Sequence, residues 1–327
     1  MQKKLFIYIC TCLMLCVITA CSSSSVENIP TQEEPQTAIG FNAKVNSRAL
    51  ADMDAVQSNG FAVWGGYDGA NVFSATHVTM DGTWGYETAK YWVLNKEYTF
   101  FATYPHTASV TATNGTYKLD VETPAAADLD ILTASAYTDT NVSNFNPEVA
   151  LQFTHLMTRV NIKIAQDFNT NKDDDFTVTK VTLTGIKPNG NYQVTNAGTT
   201  FTGTWIMENA TTSFERTFSE TEQKTIRNQT DQILSVWGEN GLLLIPQAIT
   251  SASVKVRIDY LFSMNQSEEE PEEGSLEAYL PASADLWQPG KIITYSTIIS
   301  NENNISFLAP TVEPWGTPQS GGTIIIK

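Results

Sequence analysis

The chain has 327 residues, with 35 acidic side chains against 19 basic ones and a formal net charge of −16. So acidic a chain is repelled by phosphate backbones and by anionic lipid headgroups, which excludes nucleic acid as a partner and leaves membrane attachment to something other than charge. All four cysteines, Cys10, Cys12, Cys16 and Cys21, lie at the N-terminal end, so the remainder carries no disulfide, no thiolate metal site and no cysteine nucleophile.

In chain order, Lys3 and Lys4 precede an apolar run from Leu5 to Ile18, too short for a membrane span of about 20 apolar residues and of the form of a secretory signal. Ile18-Thr19-Ala20-Cys21 has the form of a bacterial lipobox, in which the cysteine thiol takes diacylglycerol and the chain is cut ahead of it. Cys21 is therefore the expected lipidation site, residues 1–20 the signal peptide, and outer-membrane lipid the expected partner of the acylated terminus. Cleavage leaves 307 residues and, with Lys3 and Lys4 gone, takes the formal charge from −16 to −18. Residues 21–37 are rich in Ser, Glu and Gln with little apolar content, a disordered tether.

At Ile39 the pattern becomes strict alternation, with Ile39, Phe41, Ala43 and Val45 on one face of a half-buried strand. From there short apolar or aromatic runs alternate with turn clusters: Phe61 to Trp64 before Gly65-Gly66, Asp81-Gly82 before Thr83 to Tyr86, Tyr98 to Ala102 before Pro105, and Asn114-Gly115 before Thr116 to Leu119. The stretch between Val45 and Phe61 reads as a loop. Thr158 to Ile164 is the clearest strand of this block, with Val160, Ile162 and Ile164 inward. A polar interruption, Asp167 to Asp175, separates residues 38–166 from 176–327; it is either a domain boundary or a long hairpin loop. Beyond it lie Val178 to Leu183, Asn191 to Val194, Phe201 to Trp205, Gly241 to Ile245, Ser253 to Tyr260, Leu276 to Leu280 and Lys291 to Ile299. Five glutamates between Gln266 and Gly274 mark a solvated loop. Many short strands with few helices imply an all-β fold of two β-sandwich domains in tandem.

Chemistry is sparse. No nucleophile elbow, phosphate loop or His-Glu-x-x-His string is present, and His77, His106 and His155 are scattered, so no enzyme activity and no cofactor are expected. His155, between two apolar strands, reads as a structural histidine. Asp167, Asn169, Asn171 and Asp173 have the every-second-residue spacing of a calcium loop, yet Lys172 stands where a turn glycine is needed and Val178 where the bidentate glutamate belongs, so a plain acidic linker is the alternative. Trp64, Tyr67, Trp84, Tyr86, Tyr91 and Trp92 would suit a sugar-stacking platform if exposed, and a core if not.

Taken together, the lipobox, the alternating strand ending in Asn46-Ser47-Arg48-Ala49, the Phe61 to Trp64 strand, the Tyr98 to Pro105 segment, Phe153 to Ile164, the Leu244-Ile245-Pro246-Gln247 turn, and Trp287-x-x-Gly290 to Tyr295 closing toward Trp315 resemble the fimbrillin-like family of Bacteroidetes. The resemblance spans nearly the whole mature chain, through short and degenerate motifs. It implies transthyretin-like sandwiches, export as a lipoprotein, surface localisation at the outer membrane, and assembly with other pilin subunits into a fimbria. It further implies proteolysis after an arginine, loss of the first strand and entry of a donor strand from another subunit. Arg48, followed by Ala49, is the arginine so placed, and Thr323 to Ile326, hinged at Gly321-Gly322, is the candidate donor; as alternatives, Arg48 is a plain surface residue and the tail a last strand of its own domain. A monomeric surface lipoprotein that binds glycan or host protein is the alternative function.

Overall fold

The computed structural model describes residues 36–45, 52–113, 115–122, 130–166, 175–226, 234–238, 240–263, 269–282, 287–301 and 304–315. Period-two alternation is realised almost everywhere, and the structure is nearly all β. In the first part of the chain lie β1 (Gly40–Val45), the one helix among the described residues, α1 (Met53–Asn59), then β2 (Phe61–Tyr67), β3 (Ala70–Asp81), β4 (Thr83–Gly85), β5 (Glu97–Tyr104), β6 (Val110–Thr113), β7 (Thr116–Glu122), β8 (Leu132–Asp139) and β9 (Glu148–His155). In the second lie β10 (Thr158–Gln166), β11 (Asp175–Ile186), β12 (Asn189–Ala197), β13 (Thr200–Met207), β14 (Thr212–Thr217), β15 (Lys224–Ile226), β16 (Leu234–Ser235) and β17 (Leu242–Leu244). They are followed by β18 (Lys255–Ser263), β19 (Glu272–Tyr279), β20 (Lys291–Asn301), β21 (Asn304–Phe307) and β22 (Thr311–Pro314).

Seven strands form one sheet in the order β1-β9-β8-β5-β2-β3-β4. This sheet rolls until its edges approach: the Phe41 ring of β1 lies 5.3 Å from Phe73 on β3 and about as close to Tyr86 beyond β4. Inside the roll is an aromatic core of Phe41, Phe61, Phe73, Tyr98, Phe100 and Phe153. Two further sheets, β16-β10-β20-β21 with β17 and β22 attached and β14-β11-β18-β19 with β15 attached, face each other over a mainly aliphatic core of Val160, Ile162, Val181, Leu183, Val256, Ile258 and Ile293. A bulge between Val178 and Lys180 shifts the alternation of β11 by one residue, which is why Phe176 and Val178 on one side of it and Val181 and Leu183 on the other all point inward.

The fourth sheet, β13-β12-β7-β6, draws two strands from each side of the Asp167 to Asp175 interruption. Its inner side chains Tyr117 and Val194 pack on Ala62, Trp64 and Phe101 of the rolled sheet, while Leu119 and Val121 join Leu243, Ile245, Ile292 and Trp315 of the second part. Residues Thr37–Lys327 group as one unit.

Two expectations need correction. Gly65-Gly66 is no turn: both residues lie inside β2, where a Cβ on Gly65 would press on the Thr99 carbonyl and the Phe100 ring, and the turn falls at Asp68-Gly69. Nor is the segment before Phe61 all loop, because Asp52 accepts the Ala55 N–H at 3.0 Å and caps α1, which Gly60 ends at φ +69°.

Candidate functional site

The feature that stands out is β1, an edge strand filling the mouth of the rolled sheet. Its alternation sends Ile39, Phe41 and Ala43 into the core, where they are almost fully buried, and leaves Asn42 and Lys44 in solvent. Phe41 is the plug, meeting Phe61, Phe73, Tyr86 and Phe100 edge-on at 5.3–6.1 Å. Each large apolar side chain so buried contributes about 1.5–3 kcal/mol.

Backbone pairing of β1 is one-sided. It runs parallel to β9 from Gly40↔Glu148 to Val45↔Phe153, and no other described strand pairs with it. In turn β9 pairs with β8 only at Thr154 and His155, so residues 148–153 depend on β1 for their ladder. The start of β1 is clamped: Ile39 N–H donates to Lys90 at 2.8 Å, Gly40 N–H to Pro147 at 3.0 Å, and Trp92 N–H to Thr37 at 3.0 Å. The Tyr86 hydroxyl donates to the Ile39 carbonyl at 2.7 Å, and burial lifts its pKa above the usual phenol value, so it stays a donor. At the other end Gln152 donates to the Lys44 carbonyl at 3.4 Å, and Val45 packs partly buried against the core. Among the described residues, the hydrogen bonds that pin the strand beyond its ladder thus gather at its entry.

Cys21, Arg48, Ala49 and the tail Thr323 to Ile326 lie outside the described residues, as does the acidic string through Asp174; Asp175 opens β11. Among the described residues no group of three or more His, Cys, Asp or Glu could hold a metal ion, and no helix is long and apolar enough to cross a membrane. The three histidines do not converge. His77 and His106 stack on each other at 3.9 Å, whereas His155 is buried with Nδ1 2.6 Å from the Asp130 carboxylate. Burial lifts the Asp130 pKa, and the hydrogen bond from His155 pulls it part of the way back. The Trp315 ring completes this knot, edge-on to His155 at 4.3 Å and under the Arg159 guanidinium at 4.9 Å. Asp130 carries no sequence signal beyond being an acid, like Asp128, just ahead of Ile131-Leu132. Of the six clustered aromatics, Trp64 and Trp92 are buried, Tyr67, Trp84 and Tyr86 pack on the rolled core, and Tyr91 is exposed, so they fill the interior rather than form a platform.

The fold and this site define an all-β protein of packed sheets, closed by strand β1, which has one neighbour among the described strands. The chain belongs to the fimbrillin-like family, whose model matches residues 48–315. Among solved structures it is similar to a fimbrial protein from Bacteroides vulgatus ATCC 8482, at 19% identity and a TM-score of 0.64 over 85% of this chain and 99% of that one. It is also similar to a Bacteroides uniformis ATCC 8492 protein assigned to cell adhesion, at 17% identity and a TM-score of 0.47 over 85% of this chain and 99% of that one. No curated protein matches it in sequence.

Proposed function

We propose that this chain is a structural or adhesive subunit of a cell-surface fimbria, exported as a lipoprotein acylated on Cys21 and joined to other pilin subunits by strand exchange after cleavage between Arg48 and Ala49. Family membership and the likeness to a fimbrial protein support the fimbrial role. The observation that carries the exchange is the position of β1, buried on one face and paired on one side. While attached it blocks the groove. Once cut, it is held by noncovalent contacts alone, and its departure would leave residues 148–153 without a ladder and Phe61, Phe73 and Phe100 facing an open groove, a strong template for a replacement strand. The tail around Thr323 to Ile326 has the β-branched character such a donor needs.

Mass spectrometry of surface-extracted protein tests this. Polymers are expected to contain chains that begin at Ala49, and Cys21→Ala is expected to abolish acylation. Intact acylated monomer as the sole surface form would contradict strand exchange and favour a monomeric binder of glycan or host protein.

A further inference from the structure

A sheet edge presents N–H and C=O groups with no partner, and proteins guard such edges with charge, proline, bulges or short length. Among the described edge strands here, β1 carries Lys44, β14 carries Glu215 and Arg216, β19 carries three glutamates, β22 ends in Pro314, and the rest apart from β13 are four residues or fewer. β13 has none of these guards. It is eight residues long, keeps register with β12 without a bulge from Gly190↔Met207 to Ala197↔Thr200, and has no other partner among the described strands. Between Lys187 and Glu208 there is no Asp, Glu, Lys or Arg, in a chain whose residues are 17% charged.

The hairpin turns through Gly198-Thr199, a two-residue loop, so Ala197 and Thr200 form a hydrogen-bonded pair. Alternation from there aims the N–H and C=O groups of Phe201, Gly203 and Trp205 away from β12. An antiparallel strand with its own Gly203 opposite this one meets those groups, for about six backbone hydrogen bonds. The same register sets Phe201 against Trp205 and Thr202 against Thr204, aromatic to aromatic and threonine to threonine, both favourable cross-strand pairs. The centre of the edge is flat because Tyr192 lies across Gly203, where any Cβ would overlap its hydroxyl.

We propose that β13 is a second assembly edge, through which two copies of this chain pair antiparallel about a two-fold axis at Gly203 and join their four-stranded sheets into one. A second copy is the occupant because the edge is complementary to itself in that register, and because an uncharged strip is where two strongly acidic chains approach with least repulsion. This contact pairs subunits sideways and is independent of exchange at β1.

The test uses the purified mature chain with Ile39 to Val45 still attached, so that the β1 groove stays filled, in sedimentation equilibrium at about 0.1 mM, where a contact of this size is populated. A monomer–dimer equilibrium is expected. The Thr202→Lys/Thr204→Lys chain and the Thr202→Glu/Thr204→Glu chain should each dissociate at least about tenfold more readily, since like charges then face each other across the axis. An equimolar mixture of the two should regain the dimer, which also shows that both variants are folded. A monomeric parent chain, a dimer indifferent to both pairs of substitutions, or a mixture that stays monomeric would each overturn the proposal.

Discussion

Two parallel pairings sit at matching places in the two parts of the molecule and have different surroundings. In the first part β1 runs parallel to β9, and in the second β10 runs parallel to β20 from Arg159↔Ile292 to Gln166↔Ile299. Both opening strands alternate, and both put aliphatic or aromatic side chains into a core. Yet β10 is flanked on its other edge by β16 and β17, and both of its faces are covered, with Arg159 and Asn161 buried as fully as Val160 and Ile162. β1 has a free edge and a wet face. Apolar content therefore does not distinguish the two strands; the number of ladders each sits in and the burial of its second face do.

The strongest way to break that comparison is a charge at matched positions. Ile162→Asp places a carboxylate beside β20 in the aliphatic core, a cost on the order of the whole folding free energy of about 5–15 kcal/mol, and no folded protein is expected. Ala43→Asp is expected to expel β1 while the β10 to β20 core keeps its near-ultraviolet dichroism. Equal damage from both substitutions would erase the distinction.

A smaller effect sharpens it. Phe41→Ala removes the plug of the rolled sheet and should cost about 3–5 kcal/mol in urea melts of the uncleaved chain. If assembly removes β1 as proposed, the same substitution should have no effect on the dissociation temperature of the polymer.

The alternation of Ile39 to Val45 and of Thr158 to Ile164 was legible because a half-buried strand must repeat every second residue. Other features were not. The bulge at Thr179 puts Lys180 on the outer face without any composition cue, and Gly65-Gly66 looks like a turn although Gly65 lets β5 and Gly66 lets β3 approach β2. At seven residues α1 is too short to display a helical period, although Asp52 is a usable cap signal. The pairing of β7 with β12 joins residues some seventy positions apart, which no local pattern encodes, and the same is true of the Asp130–His155 contact.

The smallest expected effect concerns the partner of β10. Tyr295, opposite Ile162 in the ladder, accepts a hydrogen bond from Trp287 at 3.0 Å, and burial pushes its phenol up to about 12. A folded-state pKa raised from 10 means that folding favours the neutral phenol, so this stabilisation is complete below pH 10 and is lost as pH rises through about 12. Tyr295→Phe should cost about 1 kcal/mol at neutral pH through the lost acceptor and should flatten the alkaline fall of the thermal midpoint.

Hydrogen–deuterium exchange on the chain before and after cleavage behind Arg48 tests the exchangeability of β1 most directly. Once Ile39 to Val45 has left, amides of residues 148–153 should lose protection while those of Thr158–Gln166 keep it, and a peptide of residues 316–327 should restore the lost protection. Unchanged protection of residues 148–153 after the strand has gone, or loss spreading equally into β10, would contradict the claim that β1 is the replaceable strand of this fold.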